Sequence, residues 1–212
     1  MSIFRNLQRG WGSLLTMIKH NQYKHITKSS TVYYSALVYN PDNLYMGENT
    51  NIDSGAVIMN GRAKLIFKKN SGAAIGLLAI TGNHMSVVGK NLKQVTNQLK
   101  DELDVNHEMD KDIVVDEDVW IAARVTLLSG AHIGRGCEVG SGSVVRGSIP
   151  PYAVVIGNPC KVVGFRFTPE EIIEHEKVQY EESERLPLEL LQKNYEKYFI
   201  NRIKDIKQFT KL

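Results

Sequence analysis

The side chains here that can move a proton, attack a carbonyl or hold a metal are few: six histidines, two cysteines and the carboxylates. Cys137 and Cys160 belong to no CxxC pair, so they offer no metal clamp, and two thiols cannot build a disulfide framework. No Gly-x-Ser-x-Gly elbow occurs and neither cysteine has an evident histidine partner, so no covalent nucleophile stands out. The histidines stand at 20, 25, 84, 107, 132 and 175. Imidazole is the side chain best suited to general-base work near neutral pH. His84, in Ile80-Thr-Gly-Asn-His-Met85, is singled out by its place. A long irregular segment, 85–112, follows it, and long loops in compact domains are usually functional. A lone histidine is more often structural or simply exposed, and that reading stands beside the catalytic one. His107, within the loop, is expected to be exposed.

What must position His84 is a repeat. From Val115 every sixth residue is aliphatic: Val115, Ile121, Leu127, Ile133, Val139, Val145. The following residue is small or acidic at Asp116, Ala122, Gly134 and Gly140, while Leu128 and Arg146 depart. The residue four after each aliphatic is small or β-branched: Val119, Val125, Ala131, Cys137, Ser143, Ile149. A weaker copy precedes, at Met46-Gly47, Ile52-Asp53 and, after a broken register, Ile75-Gly76. A period of six is neither helical nor a simple alternation. It fits a short strand and a corner, three times per coil, stacked into a triangular prism: an all-β parallel β-helix. Residues 44–84 and 113–160 predict roughly five coils, about 24 Å long at strand spacing. Glycine or aspartate after the aliphatic is expected to take the turn conformation. The small residue at the fifth position is expected near the corner, where a larger one would overpack. Cys137 then reads as a small buried residue.

The repeat-bearing region, 31–167, has different flanks. Residues 1–30 are basic and amphipathic, with Phe4, Leu7, Trp11, Leu14, Leu15 and Ile18 near helical spacing and Gly10 and Gly12 expected to interrupt the helix. The expected role is to cap the end of the core; lying on a membrane surface is the alternative. Residues 168–212 are charged and helical. Thr168-Pro-Glu-Glu171 reads as a capping box with proline at the first helical position. Pro187 opens a second helix carrying Leu190, Leu191, Tyr195, Tyr198, Phe199 and Ile203 on one side.

With 212 residues, 42% of them hydrophobic and 23% charged, the chain can build one core. A net charge of +3 excludes an obligate nucleic-acid binder by bulk charge, though not a local basic patch. No apolar run reaches bilayer-spanning length, and no signal-peptide pattern opens the chain. A cytoplasmic location is expected.

Particular words inside the repeat add a resemblance. Asp118-Val-Trp-Ile121, Ile133-Gly-Arg-Gly136, Gly140-Ser-Gly-Ser-Val-Val145 and Ile149-Pro-Pro-Tyr-Ala-Val-Val-Ile-Gly-Asn-Pro-Cys-Lys161 resemble those of the hexapeptide-repeat acyltransferases. These form left-handed β-helices, an exception to the right-handed crossover rule. Within that group the chain is similar to the galactoside, maltose, xenobiotic and surface-polysaccharide O-acetyltransferases over about 44–167, with a helical tail like that of the xenobiotic branch. The resemblance implies an acetyl-CoA-dependent O-acetyltransferase acting on a sugar or other hydroxylated acceptor. It implies a homotrimer with sites between subunits, and no metal. Asn83-His84-Met85 resembles the family's Asn-His word, which makes His84 the general base. The family's cofactor positions carry over to Trp120 near the acetyl end and to Ala123 and Ser141 beside the pantetheine arm. Arg146 and Lys161 carry over to the nucleotide end, where positive charge is apt. Ala122 replaces a usual glycine, and Gly147 stands where a lysine is common, which puts more of the nucleotide contact on Arg146. Asn51 and Asp53, with Asn83, are candidates for the acceptor.

Other functions fit the same prism. An aminosugar nucleotide acceptor would make the reaction N-acetylation, and a hydroxylated antibiotic would make it drug modification. A zinc enzyme of the γ-carbonic anhydrase kind needs three histidines per metal, two of them close in sequence, whereas the repeat offers only the distant His84 and His132. A non-catalytic scaffold would need neither the Asn-His word nor the Trp-Ile step.

Overall fold

The structure is a computed structural model describing residues 2–210; the side chains of residues 2–9, Phe4 and Leu7 among them, lie outside the described residues. The chain makes its first circuit through β1 (His25–Ile26), β2 (Thr31–Val32) and β3 (Leu37–Val38). The second is β4 (Leu44–Met46), β5 (Asn51–Ile52) and β6 (Val57–Met59), and the third β7 (Leu65–Phe67), β8 (Gly72–Ala73) and β9 (Leu78–Ile80). The fourth is β10 (Ile113–Val115), β11 (Trp120–Ile121) and β12 (Thr126–Leu128), and the fifth β13 (His132–Ile133), β14 (Glu138–Val139) and β15 (Val144–Val145). β16 (Ser148–Ile149) and β17 (Ala153–Ile156) begin a sixth, and β18 (Lys161–Phe165) turns back antiparallel to β17.

Strands one circuit apart pair in parallel, giving three sheets: β1-β4-β7-β10-β13-β16, β2-β5-β8-β11-β14-β17 and β3-β6-β9-β12-β15. The repeat thus folds as a parallel β-helix, each coil hydrogen-bonding the next. Its aliphatic ladder is the core: Val115, Ile121, Leu127, Ile133, Val139 and Val145 are all buried. The same inward rows run back through Phe67 to Met46 and through Ala73 to Ile52. Each large aliphatic so buried contributes roughly 1.5–3 kcal/mol.

The corner chemistry differs from the expectation. Left-handed backbone falls three residues after the aliphatic, at Asp118, Arg124, Gly130, Gly136 and Gly142, and not at the residue directly following it. The glycines that do follow serve coil stacking. A Cβ on Gly134 would stand 2.8 Å from the Pro151 nitrogen, and one on Gly140 would stand 2.6 Å from Ile156 Cγ2. The small fifth-position residues pack inward as expected, and Ser71 and Ser143 donate to the carbonyls of Lys68 and Gly140 three residues earlier.

The broken early register has one cause: every extra residue lies at the corner between the third and first sheets. Six residues separate Thr126 from His132 there, but the same step runs from Val57 to Ile66 and from Leu78 to Val114. The segment between Ile80 and Ile113 is more ordered than an irregular loop. It contains α2 (Asn97–Leu103), capped by the Thr96 hydroxyl, which accepts from Leu99 N.

At the N-terminal end, α1 (Ser2–His20) runs unbroken through both glycines. Gly12 is needed where the helix meets the body: a Cβ there would lie 3.1 Å from the Tyr33 hydroxyl. The apolar stripe is not buried as a core cap would be; Trp11, Leu14, Leu15 and Ile18 are all exposed. In the tail, α3 (Pro169–Gln179) carries the expected capping box, with Thr168 and Glu171 bonded reciprocally. The helix opened by Pro187 ends sooner than its apolar stripe. α4 (Leu188–Tyr198) stops at Phe199 and α5 (Ile203–Thr210) follows, and of the stripe only Leu191 is fully buried. Buried Glu176 ties α3 to the last coil by accepting from Tyr152 Oη and Arg135.

Candidate active site

His84 stands just past β9, where the third sheet turns toward the first and the 85–112 segment leaves the prism. The corner there is built over three coils. Asn60, fully buried, takes the Asn40 N–H on its Oδ1 and donates from Nδ2 to the Asn40 carbonyl. Thr81 donates to the Ala63 carbonyl. These bonds satisfy the polar backbone that the inserted residues would otherwise bury. A cavity of about 340 Å³ opens along this edge, between the corner and α2. Tyr39, Met59 and Ile80 supply apolar wall, Arg62, Lys100 and Asp110 the charge, and His84 lies in its lining.

The peptide before His84 is held by an ion pair. Lys100, from α2, and Asp110 are both buried, with Nζ 2.6 Å from Oδ1. Lys100 Nζ also donates to the Asn83 carbonyl at 2.6 Å, and the Asn83 N–H donates to Asp110 Oδ1 at 3.0 Å. The pair therefore grips both main-chain polar groups of Asn83. The Asn83 side chain adds a third tie, Nδ2 donating to the Met109 carbonyl at 2.6 Å. Arg62 bonds Asp101 of α2 and lies 3.9 Å from Asp110, fastening the helix to the corner below.

The His84 ring is exposed, with Nδ1 3.2 Å from the Met85 carbonyl. A carbonyl can only accept, so this contact places the neutral ring's proton on Nδ1 and leaves Nε2 as the basic nitrogen. Nε2 has no protein hydrogen bond among the described residues. The arrangement is that of a base held from behind and open in front.

The other sequence-predicted residues lie elsewhere on the chain. Trp120 is half exposed on the second sheet, in the row shared with Gly72 and Glu138. Ala123 and Ser141 sit one coil apart at the corner between the second and third sheets, where Gly142 N donates to the Ala123 carbonyl. Arg146 is exposed just after β15, and Lys161 is exposed on β18 with its Nζ 4.9 Å from the Phe209 ring centre. Asn51 lies on β5 with its Nδ2 3.4 Å from the Ala73 carbonyl, and Asp53 is exposed beside it, accepting from Ser54 N. Of all these, only His84 and Asn83 line the cavity, and Ala123 and Ser141 stand one coil apart at another corner; one chain does not bring the two groups together. Separate corners of a narrow prism point apart.

Lys100, Asp110 and Arg62 were not legible as a site. Their one sequence signal was the lost register at residues 60–64 and 85–112, which marks the edge where they gather. Cys137 is buried as expected, its thiol pushed up to about 12 by desolvation and bonded to the Pro150 carbonyl. Among the described residues no group of three or more His, Cys, Asp or Glu side chains could hold a metal ion.

Comparison with known proteins agrees with the fold. The family model for the bacterial transferase hexapeptide (six repeats) matches residues 112–147. A putative acetyltransferase of Saccharomyces cerevisiae is 30% identical over 121 residues, covering 57% of this chain and 55% of that protein. The chain thus spans about half the length of that curated relative, and 15% of a probable acetyltransferase of Mycobacterium tuberculosis. A maltose O-acetyltransferase from Clostridium difficile superposes with a TM-score of 0.53 at 26% identity, covering 68% of this chain and 70% of that one. In its repeat, its three-sided parallel coil and its sequence, this chain is similar to the hexapeptide-repeat acetyltransferases.

Proposed function

We propose that the protein is an acetyl-CoA-dependent O-acetyltransferase acting on a hydroxyl of a sugar or similar acceptor, with His84 as general base. The observation that carries the reading is the His84 ring, anchored at Nδ1 and open at Nε2 on the edge of a cavity. An alcohol is a weak nucleophile and a thioester is already activated, so the chain needs to supply one proton carrier. Nε2 accepts the hydroxyl proton as the acceptor oxygen bonds to the acetyl carbon. The C–S bond then breaks, and the same ring returns the proton to the departing thiolate. No acyl-enzyme is needed.

The residues fit an acyl-CoA donor. Ala123 and Ser141 leave a corner without bulk beside the pantetheine arm, and Arg146 and Lys161 are exposed cations for the nucleotide end. Trp120 offers an exposed ring near the acetyl end. Asn51, Asp53 and the remaining Asn83 oxygen are the acceptor contacts in this reading. Because these residues and His84 occupy different corners, the complete site needs a second copy of the chain. We infer a homotrimer of left-handed prisms, each groove lined by two subunits. The outward row of the third sheet supports this: Leu37, Val57, Leu78 and Val144, with Thr126 between the last two, present a largely apolar strip between the two corners concerned. The structure of a hexapeptide-repeat acetyltransferase of Vibrio cholerae with acetyl coenzyme A, 20% identical and with a TM-score of 0.52, shares the fold.

The test is a thiol-release assay with acetyl-CoA across sugars, nucleotide sugars and hydroxylated antibiotics. Acceptor-dependent thiol release with hydroxylated compounds is expected. Release only with amino acceptors would reassign the reaction as N-acetylation, and absence of acetyl-CoA binding would favour a scaffold.

A further inference from the structure

α1 packs against the body with the wrong face for a globular helix. Its small and polar side touches the first coil: Gly12 lies against Tyr33 and Tyr34, the Thr16 hydroxyl accepts from Tyr34 N, and Lys19 donates to the Tyr34 and Ala36 carbonyls. Its apolar side faces away, with Trp11, Leu14, Leu15 and Ile18 between 41% and 63% exposed and Met17 beside them at 69%. An amphipathic helix gains stability by burying its apolar face, so a face held outward by specific bonds on the opposite side calls for a partner.

Charge identifies that partner. Residues 1–41 contain Arg5, Arg9, Lys19, Lys24 and Lys28 and no acidic residue; the first carboxylate is Asp42. These five cations exceed the net charge of the whole chain, +3, so the remainder is net acidic. Lys24 pairs with Asp42 at 3.0 Å and Lys19 is spent on carbonyls, while Lys28 is exposed. A second copy docking this same face would bring like charges together, which disfavours self-association. A nucleic acid would use the cations but not the apolar stripe. A lipid surface with anionic headgroups uses both: it takes Leu and Trp side chains at the headgroup boundary and pairs with the flanking cations.

We propose that α1 is a membrane-surface anchor, which seats the first-coil end of the prism on an anionic bilayer and leaves the coils bearing His84 in water. Among the described residues no helix is long and apolar enough to cross a membrane, and the attachment that α1 itself offers is that of a surface helix, peripheral and reversible. The proposal does not depend on the acetyltransferase reading.

The test is co-sedimentation of the full chain with vesicles of phosphatidylcholine alone or of phosphatidylcholine mixed with phosphatidylglycerol. Binding to the mixed vesicles, weakened by salt and much poorer to the neutral ones, is expected. Trp11 emission, read in a Trp120→Phe background, should shift to the blue on binding. Arg5→Gln with Arg9→Gln should weaken binding roughly 30-fold, and Leu14→Glu with Ile18→Glu should abolish it. Unchanged sedimentation velocity and far-UV spectrum without lipid would show that these variants fold. No binding to either vesicle, or equal binding to both, would overturn the proposal. So would a lower oligomeric state of the Leu14→Glu, Ile18→Glu variant in the absence of lipid, because that result assigns the face to a second copy.

Discussion

In the proposed reaction His84 supplies the chemistry, and the Lys100–Asp110 pair holds the Asn83 main chain just before it. Removing one partner of a buried pair leaves an uncompensated charge and costs about 3–5 kcal/mol. Lys100→Met should therefore loosen the segment around Asn83 while the stacked coils, whose strands carry neither partner of the pair, stay folded. The expected result is protease cleavage within 85–112 and a fall in kcat of about 100-fold, with KM for acetyl-CoA little changed. Equal turnover in variant and wild type would show that the clamp does not position the base. Cys137 gives a second residue-scale test. Its thiol is held up at about 12, against an ordinary 9.0, because burial penalises the thiolate. The folded value is the higher one, so the stability the buried thiol contributes is intact below pH 9 and is lost as pH rises toward 12. Urea unfolding of wild type against Cys137→Ala should show the wild type losing more stability over that window. A thiol reagent at pH 8 should leave Cys137 unmodified until the chain unfolds.

The coil is the element that makes the site, and it was legible because its requirement repeats. A narrow prism interior that takes an inward apolar residue at each side writes Val115, Ile121, Leu127, Ile133, Val139 and Val145 into the sequence at constant spacing. The corner was less legible. Asp116 and Gly134 suggested the turn, yet the left-handed residue lies two positions later and includes Arg124, a type that gives no hint of it. Gly134 answers instead to the coil above, where the backbone around Pro151 leaves no space for a Cβ. Gly134→Ala should accordingly cost about 1–3 kcal/mol in urea unfolding, through overpacking against backbone that cannot yield. A neutral effect would mean the coils can part there. The candidate site was legible at His84, whose place before a long insertion set it apart, and illegible at Lys100 and Asp110. Their pairing depends on how α2 folds back over the corner, and nothing local in Lys-Asp-Glu-Leu or Glu-Met-Asp announces it.

At the scale of the whole molecule, the proposed reaction needs more than one chain. The proposed base stands at one corner and the residues expected to hold the donor stand at others, with a largely apolar strip of the third sheet between them. The proposed trimer would bury that strip and bring the corners of neighbouring copies together, while α1, at the end of the prism, would keep its outward face for the proposed lipid surface. The account rests on the His84 ring, and the most direct measurement is thiol release from acetyl-CoA by His84→Ala beside wild type, with the oligomeric state of both read by sedimentation. The account predicts a loss of at least about 1,000-fold in acceptor-dependent release at unchanged assembly, since both proton transfers run through that ring. Substantial turnover by an intact His84→Ala assembly would contradict it.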